Sequence, residues 1–108
     1  MEKEILYYQT KDGKCPYAKW YFSINKSIRI RIDARIERLI CGLYGDSKPL
    51  QNSELSELRM DFGAGYRIYY KDLDNVIILI LAGSDKKEQK NIIKKANEYY
   101  EDFKQRKA

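Results

Sequence analysis

The clearest periodic pattern in the chain is a run of aliphatic residues between positions 28 and 43. They recur at intervals of four, four, three and four residues, at Ile28, Ile32, Ile36, Leu39 and Leu43. This spacing places them on one face of an α-helix. Asn25 or Ser27 can cap the start of the helix, and Gly42 and Gly45 can end it. The pattern therefore predicts one long amphipathic helix in the first half of the chain.

Two further helices are predicted, one before and one well after this helix. Pro16 suits the first turn of a short helix that ends near Phe22, because a proline lacks the N–H that would stay unpaired there. The C-terminal region carries a second helical stripe, formed by Ile92, Ala96, Tyr99 and Phe103. Asp85 and Glu88 have the spacing of a capping box, which would start this helix.

Alternating or continuous apolar segments predict the strands, at residues 5–8, 54–60, 66–70 and 76–82. The last of these is apolar throughout, which is typical of a strand covered on both faces. Short turns at 63–65 and 71–75 would join the last three strands into an antiparallel meander. We therefore expect one α+β domain over residues 1–108, with a small twisted, mainly antiparallel sheet packed against two N-terminal helices and a C-terminal helix.

The turn at 63–65 also predicts which side chains are neighbours across the first hairpin. If the chain turns about Gly63, Arg59 and Arg67 lie directly opposite each other, with Cβ atoms about 5 Å apart. Tyr69 shares their face of the sheet. The alternate residues of the same strand would point into the core, namely Tyr66, Ile68 and Tyr70.

Two adjacent guanidinium groups repel each other unless a negative charge lies between them. One explanation for the pair is that Glu54 or Glu57 neutralises one of the two arginines. The other is that Arg59 and Arg67 form a phosphate site. The sequence leaves both explanations open.

The overall charge favours an anionic partner. The formal net charge is +5 and the pI about 9.1, which suits nucleic acid, the ribosome or an acidic protein. A slightly basic, solvated surface is the ordinary alternative. The chain has no histidine and no clustered carboxylates, so we expect no metal site and no cofactor.

Nothing in the sequence suggests export or membrane insertion. The N-terminus is charged and is followed by only a short apolar patch, unlike a signal peptide. The longest apolar run, at 76–82, is far shorter than the ~20 residues that span a bilayer. The two cysteines are scattered, as in proteins of a reducing compartment. We expect a soluble, cytoplasmic protein.

An ordered set of residues resembles the RelE/ParE superfamily of bacterial toxins, and most closely its HigB-like branch, the addiction module killer proteins with phage-derived members. The landmarks span nearly the whole chain: Trp20, Arg35, Ile36, Leu39, Gly42, Gly45-Asp46-Ser47-Lys48, Glu57-Leu58-Arg59, Gly65-Tyr66-Arg67, Gly83-Ser84-Asp85-Lys86, Gln89, Ile92 and Ala96. The family often has a second glycine where Ser84 stands. The resemblance implies a RelE-like fold.

The resemblance also implies the toxin of a type II toxin–antitoxin pair. RelE-like members enter the ribosomal A site and cut mRNA, whereas ParE-like members inhibit DNA gyrase. The HigB-like branch is similar in function to the mRNA-cutting group, and its partner is a small helix-turn-helix antitoxin, the HigA-like type. Two alternatives stay open: a non-nuclease toxin that inhibits gyrase, and an inactive member that only binds its antitoxin.

In a chain without histidine, RNA cleavage would fall to other residues. Arg59 and Arg67 would hold the phosphate and stabilise its transition state, but arginine stays protonated and cannot act as a base. Lys86 is the candidate for proton transfer. A tyrosine would stack on a base or donate a proton, the candidates being Tyr69, Tyr99 and Tyr100. The ordinary alternative is that these tyrosines pack in the core, which is favoured for Tyr99 and Tyr100. Four further residues are candidates for holding RNA: Arg35, Lys48, Lys87 and Gln89.

Overall fold

A computed structural model of the chain describes residues 2–107. These residues form three helices and one five-stranded sheet. In chain order the elements are β1 (Glu4–Tyr7), α1 (Pro16–Phe22), α2 (Lys26–Ile40), β2 (Ser47–Pro49), β3 (Ser56–Met60), β4 (Tyr66–Leu73), β5 (Ile77–Ser84) and α3 (Gln89–Lys107). The predicted α+β class, with helices packed on a mainly antiparallel sheet, is confirmed.

The sheet has the strand order β1-β5-β4-β3-β2. The meander of β3, β4 and β5 is antiparallel, as predicted, and β1 lies parallel to β5. The edge strand β2 was not predicted. It has only three residues, and its last residue is Pro49, which lacks a donor for the ladder and is tolerated at a sheet edge.

The predicted register of the first hairpin is confirmed, because Arg59 lies directly opposite Arg67. Between β4 and β5 the register shifts: Tyr69 lies opposite Ala82 but Tyr70 opposite Ile80. The residue between them in β5 is therefore extra, which is a β-bulge. Beyond the bulge, the last residue of β5 lies opposite Arg67.

The predicted turn at 71–75 is shorter than expected. β4 continues to Leu73 and pairs with β5 to its end. Only residues 74–76 form the connection, and two of them, Asp74 and Asn75, have positive φ, of 53° and 59°. Two such residues in succession match the right-handed twist of the strands that they join.

Helix α2 is shorter than its aliphatic pattern indicated. The Asn25 side chain caps it by accepting from the Ile28 N–H at 3.1 Å. It ends at Ile40, because Gly42 takes a φ of 82° and the Leu43 N–H turns back to the Arg38 carbonyl at 2.8 Å. Leu43 was wrongly placed on the buried face; it lies beyond the helix and is 60% exposed.

Both faces of the sheet are covered. Helices α1 and α2 bury one face, with Ile32, Ile36, Leu39, Leu58, Ile68 and Tyr70 at its centre. Helix α3 buries the other face, over Leu55, Tyr69, Leu79, Leu81, Ala96 and Tyr100. The expectation that 76–82 is covered on both faces holds for β5, whereas Val76 precedes the strand and is exposed.

Two further features complete the description of residues 2–107. None of their helices is both long enough and apolar enough to cross a membrane. Cys15 and Cys41 are free thiols.

Candidate functional site

One end of the sheet presents a row of polar side chains on the face that α3 covers. Arg59 of β3 lies opposite Arg67 of β4, which lies opposite Ser84 of β5. We call these three residues the arginine row. Strand pairing fixes the row, because β3 and β4 keep one register throughout and the Arg67–Ser84 pair lies on one side of the bulge between β4 and β5.

Arg59, at the β2 side of the row, is tied to the residue before β2. Its Nε and Nη2 atoms donate to Asp46 Oδ1 at 3.3 and 3.0 Å, and its backbone N–H donates to the Asp46 carbonyl at 2.9 Å. The hydrogen bond from Asp46 raises the pKa of Arg59. Both side chains are open to solvent, at 35% and 42% exposure, so the ion pair is weak and a phosphate can replace the carboxylate.

Arg67 is much more enclosed. Its side chain is 11% exposed, and its Nε atom lies 3.8 Å from Oε2 of Glu57, which is 1% exposed. That distance is too long for a hydrogen bond, and the buried Nε and Nη1 atoms of Arg67 donate no hydrogen bond. The same Glu57 oxygen accepts from Gln89 Nε2 at 2.8 Å. The first residue of α3 thus fixes the carboxylate that faces Arg67.

Of the two carboxylates that the sequence suggested, Glu57 faces an arginine of the row, namely Arg67. The other, Glu54, points away and pairs with Lys104 at 2.5 Å. A buried ion pair with unmade hydrogen bonds contributes little net stability. The Arg67–Glu57 pair is therefore compatible with the second explanation, in which Arg67 also binds an anion.

Tyr69 of β4 lies directly opposite Glu57 of β3, on the face of the sheet that α3 covers. It is fully buried, and its hydroxyl lies 2.8 Å from the Ser84 hydroxyl. Burial raises the pKa of Tyr69 to about 12, so the phenol is neutral at physiological pH. In this arrangement Tyr69 can position Ser84, but its ring offers no surface on which a base could stack.

The C-terminal tyrosines are also engaged in packing. Tyr100 lies on the buried face of α3, in the core between this helix and the sheet. Tyr99 is half-buried and stacks on Tyr8, with ring centroids 5.0 Å apart. Both therefore stabilise the packing of α3 on the sheet.

Lys86 approaches the arginine row from the exit of β5. It is exposed, its N–H donates to the Ala64 carbonyl at 3.3 Å, and its side chain passes over the Gly65 backbone. Gly65 precedes Arg67 by two residues, so the exit of β5 is fastened to the turn that leads into β4. Lys87 is exposed next to it.

The capping box predicted for the segment that carries these lysines forms only in part. The Asp85 carboxylate accepts from the Glu88 N–H at 2.9 Å. Helix α3, however, begins only at Gln89, so Asp85 caps the turn that leads into the helix.

The remaining predicted RNA-binding residues lie near the row but differ in their availability. Arg35 of α2 is half-buried and donates from Nη1 to the Arg59 carbonyl at 2.8 Å. Its guanidinium also fills the space above Gly45, where an added Cβ would come within 3.2 Å of it. Arg35 therefore holds the end of β3 in place. Lys48 is exposed in β2, opposite Glu57.

This end of the sheet carries several cationic side chains. Arg59 and Arg67 lie side by side across β3 and β4, and Lys86 follows β5 two residues after Ser84. Lys48 and Lys87 are exposed. Sequence reasoning missed two members, Asp46 and Ser84; both stand within the landmark motifs, but neither has a spacing that marks its contact. Within residues 2–107, no group of three or more histidine, cysteine or acidic side chains is arranged to hold a metal ion.

A related protein is found by sequence comparison. An uncharacterized protein of Haemophilus influenzae is 43% identical over 72 residues, which are 67% of this chain and 72% of that protein. The two chains belong to one family. No protein-family model and no solved structure matches the chain. The Haemophilus relative has no stated activity, so the function is argued from the arginine row and its surroundings.

Proposed function

We propose that this protein is the toxin of a type II toxin–antitoxin pair and that it stops translation by cutting mRNA on the ribosome. The observation that carries the proposal is the convergence of Arg59, Arg67 and Lys86 at one end of the sheet. The same residues belong to the landmarks that resemble the HigB-like toxins. We place the protein in the cytoplasm, with the ribosome and a helix-turn-helix antitoxin as partners.

The reaction needs little more than charge and position. The RNA 2′-oxygen attacks the adjacent phosphorus, the bond from phosphorus to the 5′-oxygen breaks, and a proton moves from the first oxygen to the second. The products are a 2′,3′-cyclic phosphate and a 5′-hydroxyl. Negative charge builds up on the phosphoryl oxygens in between, and fixed cations that face those oxygens lower the barrier.

Arg67 is the residue that we place against the scissile phosphate. Its guanidinium lies in an enclosed site beside the Glu57 carboxylate, and its two buried nitrogen atoms, Nε and Nη1, have no hydrogen-bond acceptor. Charged hydrogen bonds are stronger where water is excluded. Glu57 and Gln89 are positioning residues in this scheme, since Gln89 donates to the Glu57 carboxylate that faces Arg67.

Arg59 and Lys86 complete the arrangement from the more exposed side. Arg59 can exchange Asp46 for a phosphoryl oxygen. Lys86 can give a proton to the leaving 5′-oxygen, which no arginine can do. Lys48 and Lys87 hold the RNA backbone through charge alone, without reading bases. The ribosome would align the 2′-oxygen with the leaving group, which explains a dependence on it.

The test is 5′-end mapping of an mRNA in a purified translation system. We expect cuts with the wild-type chain and ribosomes, and none when ribosomes are omitted. Lys86→Ala and Arg67→Ala should each reduce cutting by about 100-fold or more. Lys90→Ala, which removes another exposed lysine near the start of α3, is the matched control and should cut normally.

The two variants answer different questions. Arg67→Ala leaves Glu57 buried without its cation, so its folding must be checked by circular dichroism before its activity is interpreted. Lys86 is exposed, and its loss should leave the melting temperature unchanged. Intact mRNA together with a DNA-damage response would point to gyrase instead. A folded chain that arrests no growth would point to a member that only binds its antitoxin.

A further inference from the structure

Strand β1 leaves one edge of the sheet open, and exposed apolar side chains lie along it. Strand β1 pairs with β5 on one side, and within residues 2–107 no strand pairs with its other side. Leu6 and Tyr7 of β1 are 38% and 41% exposed. Phe22, which lines a cavity of about 410 Å³ together with Tyr7, is 69% exposed. We call this outer side of β1 the β1 edge; Arg59 and Arg67, on β3 and β4, do not belong to it.

Two residues of the β1 edge have backbone groups that face outward. The N–H groups of Glu4 and Tyr8 donate at 2.9 and 3.0 Å to the carbonyls at positions 76 and 80, so these even-numbered residues face β5. The direction of the backbone N–H and C=O groups alternates along a strand. Ile5 and Tyr7 therefore present their N–H and C=O groups away from β5. Such an edge is a template on which a further strand can form.

The chain itself closes the β1 edge at both ends. Before the strand, the Lys3 N–H donates to the Ile40 carbonyl at the end of α2, at 2.9 Å. After the strand, the Gln9 carbonyl accepts from Arg106 Nη2 of α3. The open part of the edge is thus short, and an added strand can pair only with the two outward-facing residues between these contacts.

This short open edge is complementary to a second copy of itself. In an antiparallel arrangement that places Leu6 opposite Leu6 of the second copy, Ile5 of each copy lies opposite Tyr7 of the other. These two pairs can exchange four N–H···O hydrogen bonds, and the two Leu6 residues form the pair without hydrogen bonds between them, with Cα atoms about 4.5 Å apart. A two-fold axis at Leu6 closes the assembly at two chains.

The charges along the β1 edge favour the same antiparallel arrangement. It places Glu4 of one copy opposite Tyr8 of the other, and directly opposite residues share a face of the sheet. That face carries positive charge near Tyr8: the Arg106 guanidinium lies 5.5 Å from the Tyr8 ring centre, and Arg106 and Lys107 line a cavity of about 460 Å³ with Leu6 and Tyr8. Glu4 is exposed. The acidic start of each edge therefore meets the basic end of the other, whereas a parallel pairing in register would place the two Glu4 side chains together.

We infer that the β1 edge is a self-association surface, at which two copies of the chain join their five-stranded sheets into one continuous sheet about a two-fold axis at Leu6. Exposed surface of Leu6, Tyr7 and Phe22 would be covered. A four-residue strand gives a small interface beside the roughly 1,200 Å² or more that a stable complex buries, so we expect a weak dimer that depends on concentration. This inference goes beyond the proposed function and does not depend on RNA cleavage.

The first test is sedimentation velocity of the full chain from about 1 μM to 1 mM, the range of Kd that suits a small interface. We expect a monomer–dimer equilibrium. Leu6→Lys places two like charges opposite each other at the axis and should raise the dimer Kd by about tenfold or more. The matched control is Val76→Lys, which changes another exposed aliphatic residue, one strand inside the edge, and should dimerise like wild type. Melting temperatures of the dilute variants check that both stay folded.

The second test measures the register by disulfide cross-linking. In a chain that carries Cys15→Ser and Cys41→Ser, Leu6→Cys should form a covalent dimer on mild oxidation, because a Cα separation of about 4.5 Å permits a disulfide. Val76→Cys in the same background should stay monomeric.

Four outcomes would overturn the inference. The wild-type chain stays monomeric over the whole concentration range, or Leu6→Lys and Val76→Lys dimerise equally well. Val76→Cys cross-links as readily as Leu6→Cys. Species larger than the dimer keep growing with concentration, because that behaviour requires a head-to-tail contact and not a two-fold one.

Discussion

Arg67 combines two properties that rarely serve stability: it is charged and enclosed. Its carboxylate partner is close enough for attraction but too far for a hydrogen bond, and its buried nitrogen atoms Nε and Nη1 have no hydrogen-bond acceptor. Desolvating two charges is costly, and the attraction between them repays this only when the geometry is good. The pair is thus better explained by a need for a fixed cation than by a need for stability.

A comparison of single and double substitutions tests this at the level of residues. Arg67→Met should destabilise the chain by about 3–5 kcal/mol, because Glu57 stays buried without its cation. Glu57→Leu combined with Arg67→Met should recover most of that loss, since no buried charge remains. Urea denaturation followed by circular dichroism measures both effects.

The double variant also separates folding from function. It should be folded but unable to cut mRNA on the ribosome. A double variant that cuts as well as wild type would remove Arg67 from the proposed site. A single variant as stable as wild type would show that the burial of Glu57 carries no penalty.

At the scale of elements, a small polar cluster connects the residues just before β1 and just after α2 to strand β4. Lys3, just before β1, donates to Asp72 Oδ2 of β4 at 2.7 Å, and Tyr44, after α2, bonds to the same oxygen. Burial alone would raise the pKa of Asp72, but the hydrogen bonds from Lys3 and Tyr44 outweigh it and lower that pKa. The cluster therefore holds β1 and the end of α2 against the centre of the sheet.

The lowered pKa of Asp72 gives the sign of a pH effect. A carboxyl whose pKa is lower in the folded state stabilises the fold above its unfolded pKa of about 3.9 and loses that contribution as the pH falls through the folded value. Asp72→Asn should therefore lower the free energy of unfolding at pH 7, on the order of 1 kcal/mol. The difference from wild type should shrink below about pH 4. Thermal melts from pH 2 to 7 measure it, and a constant difference would contradict the assignment.

The elements also show which parts of the fold the sequence could predict. Helix α1 and the start of α2 follow from local signals, Pro16 and Asn25, and the arginine pair follows from one turn. Strand β2 and the parallel placement of β1 depend on pairing between distant segments, which no local pattern encodes. Whether Tyr69 packs in the core or meets RNA stayed open in the sequence for a similar reason, since its burial depends on α3 folding back over that face of the sheet.

The same distinction between local and long-range signals applies to the candidate site. Arg59, Arg67 and Lys86 could be brought together from strand order and register. The sequence could not predict the contacts that leave these side chains paired or unpaired. Asp46 and Gln89 reach the site from different loops and elements. Periodicity identifies a face of the sheet, whereas tertiary packing decides which side chain on that face is free.

At the scale of the whole molecule, the net charge of +5 would act on the approach to the ribosome. Exposed cations near the arginine row, such as Lys48 and Lys87, attract RNA phosphates over about a Debye length, which salt shortens. Binding should therefore weaken steeply when salt rises from 50 to 200 mM, by about tenfold or more if a few phosphates are neutralised. Cosedimentation with purified ribosomes measures this.

A single charge removed from that surface should change the slope and leave the fold intact. Lys48→Ala should reduce the slope of log affinity against log salt by about one, whereas Lys71→Ala, on β4 and away from the row, should leave it unchanged. Because Lys48 is exposed on an edge strand, the melting temperature should not move. Affinity that is independent of salt would mean that the protein reaches ribosomes by apolar contact, and the basic surface would then have no part in targeting.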